Sequence, residues 1–212
     1  MPRYKHGKIQ KTITREILAQ LMKRFEVVDR HGYSLLFCQS LLAMLYVTGF
    51  RISEIIGARK HLMHLHPRGK PPVDVYTPAF PPLKKEQMWK DDQFLYVRQI
   101  ARKHGKREGP IAIPLAFDFV NLIVQQWTQT PPQGSIWQIT DVTWWTILKA
   151  VDPLLYNHFF ILNRLTKQAE HPETSMKDQE DWSGKSPQTI SIYRALAGRE
   201  TKHTGERMLQ ET

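Results

Sequence analysis

Two apolar runs at helical spacing meet in the stretch Leu41–Arg59, LLAMLYVTGFRISEIIGAR. Leu41, Leu42, Leu45 and Tyr46 form the first run, Ile52, Ile55 and Ile56 the second, and Thr48-Gly49 separates them. The pattern predicts helix, glycine turn, helix. Gly49 suits the left-handed backbone that ends a helix, and Ser53 with Glu54 suits the first turn of the next. Arg51 then lies on the corner, on a rigid backbone with its guanidinium projecting.

The same reading extends along the chain. Residues 1–14 form a basic, polar arm, and Thr12-Ile13-Thr14-Arg15-Glu16 caps a helix running to about Phe25. His31-Gly32-Tyr33-Ser34 starts the helix that leads into the Arg51 corner. Residues 64–93 hold six prolines and the mixed-charge run Leu83–Asp92, which predicts an irregular loop. Phe94–Ile100 alternates as a strand, Arg102–Arg107 is a basic turn, and Pro110–Leu115 is the returning strand. Helices are predicted over Phe117–Trp127, over Asp141–Val151 with Asp141 as cap, and over Leu154–Ala169. A turn at Pro131-Pro132-Gln133-Gly134 separates the first two. Residues 170–187 read as a polar loop, Ser191–Ala197 closes the ordered part, and residues 198–212 form a tail. The expected fold class is mainly α with a small antiparallel β-sheet (α+β).

Composition narrows the partners. The chain has 212 residues, 41% of them hydrophobic, enough for one core. A formal charge of +10 points to an anionic partner, nucleic acid first. The single cysteine, Cys38, sits in an apolar run, which predicts a buried thiol in a reducing compartment. The N-terminal residues lack the apolar core of a signal peptide, and no stretch reaches the ~18 apolar residues of a membrane helix. A cytoplasmic, nucleoid-associated protein with no membrane contact is expected. His61, His64 and His66 suggest metal ligands, His61 and His64 falling one helical turn apart, but neither cysteine nor carboxylate adjoins them. No metal and no cofactor is expected. Gly69-Lys70 lacks the upstream glycine of a phosphate-binding loop, and no serine or cysteine nucleophile motif is present.

TGFRISE closely resembles the first arginine box of the tyrosine recombinases, the phage integrase family, whose arginine holds the scissile phosphate of DNA. Three further stretches follow in that family's order. GKREGPIAIPL is similar to the family's β-hairpin pattern GKGxKxRxVPL, and counting back from Pro114 puts Lys106 on its lysine, with Lys103 as a neighbouring substitute. HFFILNRLTKQAEHP, from His158 to Pro172, resembles HxLRHxRATHLAEHG. WSGKSPQTISIYRAL resembles GHKSPQTTxxYxH and places Tyr193 on the nucleophile.

The resemblance implies a tyrosine recombinase catalytic domain over residues 15–197, with catalytic Arg51, Lys106, His158 and Tyr193. It implies binding of double-stranded DNA, with Arg102, Lys103, Arg107 and Lys185 as further phosphate ligands, and a homo-oligomer on that DNA. It also implies strand cleavage by Tyr193 through a 3′-phosphotyrosyl link, with Lys106 protonating the leaving 5′-oxygen, in integration or recombination of a mobile element. Two positions depart from the family. Ile161 stands where the second arginine belongs, with Arg164 about one helical turn on, and Gly184 stands at the usual His or Trp, with Trp182 two residues upstream. Fewer residues precede Arg51 than a separate helical arm domain would need. The alternatives are a recombinase-fold regulator or accessory factor that does not cleave, and a relaxase-like nickase.

Overall fold

The computed structural model describes residues 15–59, 61–65, 71–77, 79, 81–98 and 110–153. These form an α+β assembly of helices with small antiparallel sheets. Helix α1 spans Arg15–Arg24 and buries Leu18, Leu21 and Met22. Glu16 in its first turn and Lys23 and Arg24 in its last complement the helix dipole. The Arg30 guanidinium then donates to the Phe25 and Glu26 carbonyls, closing that end.

Helix α2, Leu35–Thr48, is central to the core of the described residues. Leu41 to Leu45, Val47 and Thr48 are all buried, so the helix is enclosed nearly all round. Ser34 caps it by accepting from the Phe37 N–H at 3.1 Å. Burial pushes the Cys38 thiol up to about 11, despite the nearby positive charge of Arg30. That keeps it uncharged and unreactive at neutral pH. Gln39 reaches back to the Met22 carbonyl at 2.9 Å and ties α2 to the end of α1.

After the short helix α3, Ile52–Ile56, strands β1 (His61–Leu65) and β2 (Val73–Thr77) pair antiparallel, His61 opposite Thr77 and Leu65 opposite Val73. This corrects the irregular loop expected over 64–93. Pro71 and Pro72 precede β2 and Pro78 follows it, so these prolines bound the strand and do not interrupt its β-favouring VDVYT. The helical-turn spacing of His61 and His64 disappears with it, because both lie in β1.

A one-turn 3₁₀ helix at Lys85–Gln87 leads into β3 (Met88–Lys90), which with β4 (Phe94–Val97) and β5 (Ile111–Pro114) makes a three-stranded antiparallel sheet in the order β3-β4-β5. The β4–β5 pairing is the hairpin expected from sequence, and β3 is a strand where a loop was expected. Leu95, Val97, Ile111 and Ile113 face inward and join a continuous core with α1, α2, α3 and the two described helices that follow the sheet. The segment before β3 is a strap. Leu83 donates to the Ile55 carbonyl at 2.8 Å, and Ile136 donates to the Leu83 carbonyl at 3.0 Å.

Helix α4 spans Val120–Gln129, starting three residues later than expected. Phe119 takes a left-handed backbone at its N-cap, φ 65°, so Phe117–Phe119 form a turn. The Lys85 ammonium, donating to the Thr128 and Thr130 carbonyls, satisfies the other end of α4. Helix α5 is Asp141–Val151 as expected, but its cap is Thr140 and not Asp141. The Thr140 hydroxyl accepts from the Thr143 N–H at 3.1 Å, whereas the Asp141 carboxylate accepts from the next residue, Val142. Thr140→Ala should therefore lower stability by ~1 kcal/mol in urea unfolding, and Asp141→Ala by clearly less. Equal losses would return the capping role to Asp141. The helix expected over Leu154–Ala169, the loop over 170–187 and the segment Ser191–Ala197 lie outside the described residues, as do the arm at 1–14 and the tail at 198–212.

Candidate functional site

Six of the seven residues of TGFRISE have a definable part in the corner between α2 and α3. The buried Thr48 hydroxyl donates to the Met44 carbonyl at 2.6 Å and accepts from the Phe50 N–H at 3.2 Å, which fixes the exit from α2. Gly49 takes φ 63°, and its N–H donates to the Leu45 carbonyl at 2.9 Å. A side chain there would be strained, so glycine is required. Phe50 and Ile52 are buried on either side of Arg51 and anchor the turn in the core. Ile55, within α3, is fully buried.

Arg51 is the N-cap of α3, in an extended backbone conformation. Glu54 holds it at two points. One carboxylate oxygen accepts from the Arg51 N–H at 2.8 Å, and the other accepts from a terminal guanidinium nitrogen at 3.2 Å. The Glu54 side chain is 10% exposed and that of Arg51 30%, so the carboxylate sits beneath and the guanidinium at the surface. The projecting guanidinium expected from sequence is thereby oriented by an ion pair. The backbone bond is half of a capping box, which accounts for glutamate at this position.

Capping does not account for the arginine. N-cap positions favour Ser, Thr, Asp or Asn because their side chains accept hydrogen bonds from the first turn. A guanidinium has only donors and fills no such role. What it does offer is a planar, permanently charged fork suited to a phosphate or carboxylate.

Arg51 is the one expected site residue that falls within the described residues. Lys106, His158, Tyr193, the substitutes Lys103, Arg164 and Trp182, and the phosphate ligands Arg102, Arg107 and Lys185 lie outside them, as do Ile161 and Gly184. Among the described residues, no group of three or more His, Cys, Asp or Glu side chains is placed to hold a metal ion. No helix among them is long and apolar enough to cross a membrane.

A second cluster was not foreseen. On the outer face of the three-stranded sheet, Trp89 lies directly across from Tyr96, their rings stacked at 5.4 Å and 10°. The Arg98 guanidinium lies 5.5 Å from the Trp89 ring centre. The Tyr96 hydroxyl donates to Asp91 at 2.7 Å, which draws the Asp91 carboxyl below its usual range and raises the Tyr96 phenol above its own. Phe94 and Tyr96 alternate visibly in sequence. The contribution of Trp89 depends on β3, a strand of only three residues, too short to show a period.

Comparison with protein-family models, with curated proteins and with solved structures returns no match.

Proposed function

We propose that the chain is a tyrosine recombinase-type DNA strand transferase that binds duplex DNA and holds the scissile phosphate with Arg51. The observation that carries this reading is the Arg51 corner. A guanidinium without a capping role stands on a backbone fixed by Gly49, Phe50 and Glu54, in a motif resembling the family's first arginine box. The order of the Lys106, His158 and Tyr193 motifs and the net charge of +10 support it.

In the proposed reaction the Tyr193 phenol oxygen attacks phosphorus while its proton passes to a neighbouring base. The bond to the 5′-oxygen breaks, that oxygen takes a proton from Lys106, and a 3′-phosphotyrosyl link remains. Arg51 offsets the charge gathered on the phosphorane. Such chemistry serves integration or recombination of a mobile element, the protein acting as a homo-oligomer on DNA in the nucleoid.

The second reading, a DNA-binding regulator or accessory factor that does not cleave, is favoured by Ile161 at the second arginine and Gly184 at the His/Trp position. Trapping separates the two. On a nicked cognate duplex the freed 5′-hydroxyl fragment diffuses away, so a slow covalent intermediate accumulates. The enzyme reading expects a protein–DNA adduct that Tyr193→Phe abolishes and Ile161→Arg increases. Intact duplex binding with no adduct from either the parent or Ile161→Arg would establish the regulator. The DNA flanking the gene is the first place to seek the cognate site.

A further inference from the structure

We infer that the outer face of the three-stranded sheet, in the place beside Tyr96 and above Ala112, is a stacking site for an unpaired base of a DNA strand. The register makes the geometry specific. Tyr96 lies between two cross-strand neighbours, Trp89 on β3 and Ala112 on β5. One side of its ring is taken by Trp89, at 10° between the planes. On the other side stands the Ala112 methyl group, so no ring among the described residues fills the next position of the stack. Pro114, opposite Phe94, bounds that position along β5, and Phe94 tilts against Tyr96 at 6.2 Å and 50°. Among the described residues the result is an aromatic ladder without its last rung.

The ladder is held in place before any ligand arrives. The bond from the Tyr96 hydroxyl to Asp91 fixes the ring at its far end, and Asp91 is itself fixed by accepting from the Gln93 and Phe94 N–H groups at 2.8 and 2.7 Å. Trp89 is 37% exposed, a surface that a sheet of this size does not need for its own core. A preorganised ring loses little freedom when a planar partner adds to it.

Charge selects the kind of planar partner. Arg98 is in the ladder itself, over Trp89, and four residues further along the sequence begins the run Arg102, Lys103, Lys106 and Arg107. In a chain of charge +10, an aromatic face with a guanidinium over it matches a sugar-phosphate strand carrying exposed bases. A duplex keeps its bases stacked on one another, so only an unpaired base reaches the site. The inference rests on the proposed DNA role and adds a single-strand contact to it.

The test compares a fluorescein-labelled oligothymidine with an abasic strand of the same length and charge, by anisotropy on the full chain, with duplex binding measured in parallel. The base-bearing strand should bind about 10-fold more tightly than the abasic one. Ala112→Leu, which fills the open rung, and Tyr96→Leu, which removes the stacking face, should both erase that difference and leave duplex binding unchanged. Tyr96→Phe keeps the ring and should keep most of it. Equal binding of the two strands by the parent, or an undiminished preference in folded Ala112→Leu and Tyr96→Leu, overturns the inference and leaves the face to a protein partner or to sheet stability alone. A base preference without duplex binding would sustain the stacking site and count against the duplex role of Arg51.

Discussion

Arg51→Ala should slow adduct formation on nicked DNA by ~10²–10³-fold, the range expected for removing one preorganised donor group from a developing oxyanion. Stability should change far less. The Arg51 side chain is 30% exposed, and after its removal Glu54 still accepts from the residue 51 N–H, so the cap of α3 survives. A partly exposed ion pair contributes at most ~1 kcal/mol, about 2–4 °C in melting temperature for a chain of this size. Arg51→Lys gives the finer distinction. It keeps the charge but loses the planar fork, and its rate should fall between the parent and alanine. Trapping and thermal melting on the same three proteins decide the matter. An unchanged adduct rate in folded Arg51→Ala would remove Arg51 from the site, and a rate that falls only as the fold is lost would make it structural.

The corner was legible in sequence because its physics is local. Gly49, Phe50, Arg51 and Glu54 lie within six residues, and all but Arg51 meet a requirement of ending one helix and starting another. The β4–β5 hairpin was legible for a similar reason, since alternation in Phe94–Val97 and Ile111–Pro114 sets both faces. Misreadings came where two local signals competed. Six prolines outweighed the five residues of β2, and Asp141 stood beside Thr140, with either able to cap. The contacts that were invisible are long-range. Nothing near Lys85 announces that its ammonium closes α4 at carbonyls 43 and 45 residues further on. Likewise the open rung over Ala112 exists only once β3, β4 and β5 are in register.

Trp137→Phe should destabilise the protein more than Trp144→Phe, although both tryptophans are fully buried. The difference lies in their indole N–H groups. That of Trp137 donates to the Ser40 hydroxyl at 2.9 Å, and Ser40 in turn donates to the Phe37 carbonyl at 3.0 Å, so a loop after α4 is bonded to the middle of α2 across 97 positions of sequence. Phenylalanine there leaves a small cavity and takes away a buried bond, for a combined loss of about 2–3 kcal/mol. Trp144 stacks on Phe25 at 6.1 Å and 17°, but its N–H has no hydrogen-bond partner among the described residues. Replacing it by phenylalanine removes a donor that no described residue satisfies along with the packing, and the two effects offset one another to within about 1 kcal/mol. Full truncation is more severe. Trp137→Ala should lose ~3–5 kcal/mol, lowering the melting temperature by about 10 °C or more. Urea unfolding of the two phenylalanine variants decides the point, and a Trp144→Phe loss equal to that of Trp137→Phe would show that the Ser40 bond adds nothing to holding that loop on α2.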